Sequence, residues 1–150
     1  MYLTDHYQHT GKAKGSQVMA PKLSGVDHLH VNVGSWNEAE EWYGSVLNFK
    51  RVDALMGWAV KNGPLTIENP EGTIHLALFE SDSPERTNVI AFGATGDEFL
   101  RWKTYLESKS LKLRVTDHKM AYSLYFSDPW QNSHEITTYE RDYVAAKLTD

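Results

Sequence analysis

Seven histidines in a 150-residue chain without cysteine are the side chains best equipped for chemistry. An imidazole changes charge near neutral pH and binds borderline metals through either ring nitrogen. The missing thiols exclude a disulfide framework, a thiolate metal site and a cysteine nucleophile. Position sorts the histidines. Residues 26–33 alternate, with Leu29, Val31 and Val33 on one face and His28, His30 and Asn32 on the other, as in a half-buried strand. In residues 73–79, Ile74, Leu76 and Leu78 form an apolar side, which leaves His75 and Ala77 on the opposite face. Glu135 lies in another strand-like run, sixty residues after His75. His134 has the opposite parity and reads as structural or exposed, and His118 reads as solvent-facing. His6 and His9 fall in a polar start, where solvated tail histidines are the plainer reading.

Elements must hold these residues in place. Residues 1–20 have neither strand nor helix period and lack the basic start and apolar core of a signal peptide, so they read as a flexible or partner-draped arm. After the first strand, Ser35 precedes Glu38 in a capping box that opens a helix carrying Trp36, Ala39, Trp42 or Tyr43, and Val46. Asn48 is its stop. Three strands are then expected, near residues 50–54, 58–60 and 73–79, with turns at Asn62-Gly63-Pro64 and Asn69-Pro70-Glu71-Gly72. The programme repeats: a strand at 88–93, a capping box at Thr95 and Glu98, a helix with Phe99, Trp102 and Leu106, and strands near 111–115, 122–126 and 133–138. Asp128-Pro129 makes the last tight turn. Ser35 and Thr95 stand sixty residues apart, so two copies of strand–helix–strand–strand–strand are the economical reading. Residues 21–150 form one α+β domain, with module one at about 24–80, module two at about 86–139 and a C-terminal extension at 140–150.

Composition narrows the function classes. Apolar residues make up 41% and charged residues 23%, ordinary for a globular protein. Fifteen Lys and Arg against twenty Asp and Glu give a net charge of −5, which argues against nucleic-acid binding. The basic run Lys109, Lys112, Arg114 and Lys119 reads as a solvated face. No apolar run approaches the roughly 20 residues that cross a bilayer. A cytoplasmic protein without a membrane partner is expected.

The strings Gly25-Val26-Asp27-His28-Leu29-His30-Val31, Glu41-Trp42-Tyr43 and Val46-Leu47-Asn48-Phe49, followed by Tyr125-Phe126-Ser127-Asp128-Pro129-Trp130-Gln131-Asn132-Ser133-His134-Glu135, resemble the vicinal-oxygen-chelate superfamily. That superfamily includes glyoxalase I, fosfomycin- and bleomycin-resistance proteins and extradiol dioxygenases. The match covers about residues 24–139, and Asn48 stands where a glycine is more common. The resemblance implies two tandem βαβββ modules whose sheets curve around a cavity, within one chain or across a homodimer.

It also implies a metal held on the first and last strands of each module. Carried over, the ligands are His28, His75 and Glu135. The fourth position falls on Asn88 by the sixty-residue repeat or on Val89 by alignment through Ala91-Phe92-Gly93, and neither is the usual histidine. Two imidazoles and a carboxylate suit Fe²⁺, Mn²⁺, Ni²⁺ or Zn²⁺ with open positions for substrate. His30 shares the face of His28 and is a candidate proton shuttle, hydrogen-bond donor behind the ligands, replacement ligand, or structural residue. Tyr125 is a candidate donor to a substrate oxyanion, and Glu135 a candidate catalytic carboxylate. Asn88, Trp58 and Trp130 are candidate pocket walls. The implied function is a divalent-metal-dependent isomerase, lyase or oxygenase acting on a small oxygen-chelating compound. The alternative is a metal-free protein of the bleomycin-resistance type, trapping a planar compound between Trp58, Trp130 and Tyr125.

Overall fold

The computed structural model describes residues 19–148, so most of the expected arm, with His6 and His9, lies outside the described residues. Module one runs β1 (Leu29–Val33), α1 (Trp36–Leu47), β2 (Lys50–Arg51), β3 (Pro64–Glu68) and β4 (His75–Glu80). Module two runs β5 (Ile90–Gly93), α2 (Gly96–Ser108), β6 (Arg114–Asp117), β7 (Tyr122–Ser127) and β8 (Ser133–Thr138), and α3 (Arg141–Leu148) follows. Each module makes its own four-stranded sheet, in the orders β1-β4-β3-β2 and β5-β8-β7-β6. The first strand of each runs parallel to the last, and the remaining pairs are antiparallel.

Both capping boxes form on their N-terminal side. Ser35 Oγ accepts from the Glu38 amide at 3.3 Å, and Thr95 Oγ1 from the Glu98 amide at 3.2 Å. Asn48 ends α1 in the left-handed region at φ 59°, a conformation asparagine tolerates better than most residues, so it serves where a glycine is usual.

One expectation for module one is corrected. Residues 58–60 form no strand; Asp53–Trp58 is a 3₁₀ helix, and the missing strand is Pro64–Glu68, beginning on the proline assigned to a turn. A proline at the first position of a strand gives up no hydrogen bond that the ladder needs. Asn62, at φ 67°, makes the turn before it. In module two the second strand lies at Arg114–Asp117, a few residues later than the expected 111–115.

The apolar faces of both sheets feed one core. Val31, Val33, Leu65, Ile67, Leu76 and Leu78 from the first sheet join Ile90, Leu124, Phe126 and Ile136 from the second. Helix α1 belongs to module one, yet its Tyr43 packs edge-on to His134 of β8, with ring centroids 5.6 Å apart. Just beyond α1, Phe49 meets Phe92 of β5 at 6.4 Å. Because both apolar faces turn toward this shared core, the opposite faces of the two sheets point away from it.

A buried polar network fastens the modules together. The Tyr43 hydroxyl donates to Asp128 Oδ2 at 2.8 Å, which leaves its oxygen to accept from His134 Nε2 at 2.9 Å. Asp128 Oδ1 also accepts from the Trp130 and Asn132 amides, at 2.9 Å each. Asn132 Nδ2 reaches Asp128 Oδ2 at 2.8 Å and the Asn32 carbonyl of β1 at 2.7 Å. Burial, followed by the neighbouring Asp128 carboxylate, holds the Tyr43 phenol far above its ordinary pKa.

Candidate functional site

The outward face of the first sheet carries the histidines. His28 lies just before β1, His30 within it and His75 at the start of β4. His28 Nδ1 is 2.8 Å from Asp27 Oδ2, and its Nε2 is 3.2 Å from His30 Nε2. The two rings stack at 5.2 Å, and His30 also rests on Phe79 at 4.6 Å. His75 turns to its cross-strand partner instead, with Nε2 3.2 Å from Glu68 Oε2.

The outward face of the second sheet carries a polar row. Register places Arg114, Tyr125, Glu135 and Ala91 side by side across β6, β7, β8 and β5. The Arg114 guanidinium lies over the Tyr125 ring, 4.1 Å from its centroid. The Tyr125 hydroxyl sits 3.0 Å from His118 Nε2. His118 is exposed, as expected, but it belongs to this row rather than standing alone. The sequence reading missed Arg114, which it placed in a solvated basic run. The signal that would have found it is strand pairing with Tyr125, and that is a tertiary fact.

Register also corrects the repeat. Core-facing positions are odd-numbered in β1 (Val31, Val33) but even-numbered in β5 (Ile90, Phe92), so the sixty-residue spacing of the caps does not extend to the first strands. Matching the ladders at their first pairs, Leu29 with Leu76 and Ile90 with His134, puts Val89 in the place of His28. It sets Ala77, opposite His30, in the place of Glu135, opposite Ala91. His75 therefore sits two positions before the residue equivalent to Glu135.

The remaining candidates are dispersed. Asn88 is exposed and precedes β5. Trp58 is exposed at the end of the 3₁₀ helix, while half-buried Trp130 packs in the β7–β8 turn, so close to Gly34 that a Cβ there would collide with its indole. A cleft of about 710 Å³ lies elsewhere, between the end of α1, the β3–β4 turn, β5 and α2, with Phe49, Phe92, Trp102 and Tyr105 among its walls.

A family model described as the glyoxalase/bleomycin resistance protein/dioxygenase superfamily matches residues 25–136. The chain belongs to that superfamily. No curated protein matches it by sequence. Solved structures share the fold. An integron cassette protein from the mobile metagenome of the Halifax Harbour sewage outfall is 21% identical, with a TM-score of 0.64 over 77% of this chain and 99% of its own. The fosfomycin resistance protein FosX of Listeria monocytogenes, complexed with Mn(II) and sulfate, is 17% identical, with a TM-score of 0.60 over 85% and 99%. A lactoylglutathione lyase of Agrobacterium tumefaciens is 21% identical, with a TM-score of 0.62 over 79% and 96%.

Superfamily membership makes a divalent metal the group to test against these residues. Among the described residues, no three His, Asp or Glu side chains gather closely enough to hold one. His28 precedes β1 of the first sheet, whereas Glu135 lies in β8 of the second. One copy of the chain does not assemble the expected His28, His75 and Glu135 set. What it does assemble is the close nitrogen pair of His28 and His30. Among the described residues, no helix is long and apolar enough to cross a membrane.

Proposed function

We propose that the protein is a divalent-metal-dependent enzyme acting on a small organic substrate that offers two oxygens for chelation, by isomerase or lyase chemistry or by oxygenation. The observation that supports it is the outward row Arg114–Tyr125–Glu135, a guanidinium, a phenol and a carboxylate aligned on a face with no core to fill. His28 and Glu135 are the metal ligands in this reading, with His75 or His30 as a further imidazole. The ion, Fe²⁺, Mn²⁺, Ni²⁺ or Zn²⁺, would supply Lewis-acid stabilisation of a developing enolate or alkoxide or, as Fe²⁺, dioxygen activation. Tyr125 donates a hydrogen bond to a substrate oxygen, and Arg114 pairs with an anionic one. The Mn(II) of the FosX structure favours a metal in this fold.

The site is completed by a second copy in a homodimer. Strands β1 and β5 each lie at a sheet edge, and exposed Val26, Leu29 and Val89 flank those edges as surface suited to cover. A cytoplasmic location accords with this reading. Tag-free protein should carry or take up one ion per chain, sediment as a dimer at micromolar concentration, and lose the ion on His28→Ala or Glu135→Ala. Failure to bind any of the four ions at micromolar concentration would sink the enzyme reading.

The aromatic cleft favours a second reading, a metal-free binder of planar compounds. Its walls are Phe49, Phe92, Trp102 and Tyr105 rather than Trp58, Trp130 and Tyr125. Quenching of tryptophan fluorescence by an aromatic ligand, unchanged in His28→Ala and abolished in Trp102→Ala, would establish it.

A further inference from the structure

We propose that His28 and His30 together chelate the metal, so that one strand supplies two imidazole ligands and His75 supplies none; this rests on the metal-dependent reading above. The geometry of the pair carries it. Two ligand nitrogens 3.2 Å apart, each about 2.0–2.1 Å from a shared ion, subtend roughly 100° at that ion, between tetrahedral and octahedral angles. The orientation of the rings agrees. Asp27 takes the Nδ1 side of His28 at 2.8 Å, which fixes the tautomer that leaves Nε2 free to bind, as carboxylates do behind metal-bound histidines. Phe79 supports the ring of His30 from the neighbouring strand.

The ladder explains why a second histidine is needed on this strand. Module two presents Glu135 opposite Ala91, whereas module one presents Ala77 opposite His30, and alanine donates nothing. Ala77 is only 2% exposed, and its neighbour across the ladder bears the missing donor. Val89, in the place of His28 within module two, removes another. Ala77 lies one strand away from His30, Val89 matches His28 in the ladder, and His28 and His30, two residues apart, share one face. His75 stands apart from this pair: it lies two positions before Ala77, the residue opposite His30, and its Nε2 turns to Glu68 on β3.

The test uses the full chain carrying His6→Ala and His9→Ala, so that tail imidazoles add no signal. Ni²⁺ and Zn²⁺ affinities are measured by calorimetry for this parent and for His28→Ala, His30→Ala and His75→Ala in the same background. Cu²⁺ electron paramagnetic resonance then counts coupled imidazole nitrogens. His28→Ala and His30→Ala should each weaken binding roughly 10–100-fold, while His75→Ala changes it less than about twofold. The copper spectrum should count two imidazoles in the parent and one in His30→Ala. If the parent binds metal and His30→Ala binds it equally tightly with the same imidazole count, the chelate is overturned and the enzyme reading stands. If the parent binds no metal, both fall. Both side chains are exposed, and unchanged melting temperatures confirm that the variants fold.

Discussion

The molecule keeps histidines in two opposite conditions. His134 is fully buried between the modules, fixed by Tyr43 and packed among Trp42, Phe92 and Phe126. Its Nε2–H donates to the Tyr43 oxygen, and its Nδ1 has no hydrogen-bond partner among the described residues. Burial pushes its pKa down to about 4, outweighing the opposing pull of Asp128. His28 and His30 lie exposed at a sheet edge, with two ring nitrogens facing one another and solvent beside them. The comparison teaches that histidine count says little about chemistry. The buried ring is neutral and occupied with holding the fold, while the exposed pair has capacity to spare.

Breaking the buried side of that comparison should have the largest effects. Asp128→Ala removes the acceptor for the Tyr43 hydroxyl, two amides and the Asn132 side chain. Charge-assisted hydrogen bonds contribute about 1.5–3 kcal/mol each, so a loss of at least about 3 kcal/mol is expected in urea denaturation. The acid limb comes next. With the folded pKa of His134 near 4 against 6.5 for the free side chain, the unfolded chain binds the extra proton first. Its contribution is complete above about pH 6.5, fades as pH falls toward 4, and amounts to about 3 kcal/mol across that window. Urea midpoints measured from pH 7 to pH 4 should fall more steeply for wild type than for His134→Gln, and parallel slopes would refute the assignment.

Smaller effects sharpen the contrast. Tyr43→Phe deletes the hydroxyl that joins Asp128 to His134 while keeping the ring, and should cost about 2 kcal/mol in thermal or chemical unfolding. At the exposed site the order reverses. His28→Ala and His30→Ala should shift stability by no more than about 0.5 kcal/mol without metal, because neither supports the core. A destabilisation comparable to that of Tyr43→Phe would mean that the strand pair is structural.

Much of this was legible in the chain. The capping boxes at Ser35 and Thr95, the stop at Asn48 and the alternation in β1 are local signals, and each reports a local conformation faithfully. Parity alone separated His134 from Glu135 and put His28, His30 and His75 on one face. The strand at Pro64–Glu68 escaped because Asn-Gly-Pro marks a turn, and the chain does turn at Asn62 before the proline opens the ladder. Arg114 escaped because a lysine- and arginine-rich stretch has the same composition whether or not a tyrosine stacks beneath it.

The equivalence of His75 with Glu135 illustrates the limit. Counting residues treats the modules as copies in register, but an inserted or deleted residue in a connection changes the count without changing the fold. Hydrogen-bonded pairing is decided between strands distant in sequence, and a slip of one residue would reverse which face is buried. The chain alone carried the βαβββ programme, its repetition, the shared face of His28 and His30 and the opposite parity of His134 and Glu135, because period and caps are short-range properties. Packing and strand pairing put the two sheets on one core, matched Ala77 rather than His75 with Glu135, and set His28 against Asp27 and His30. Those outcomes depend on which surfaces pack and which strands pair, and no local pattern encodes a distance between them.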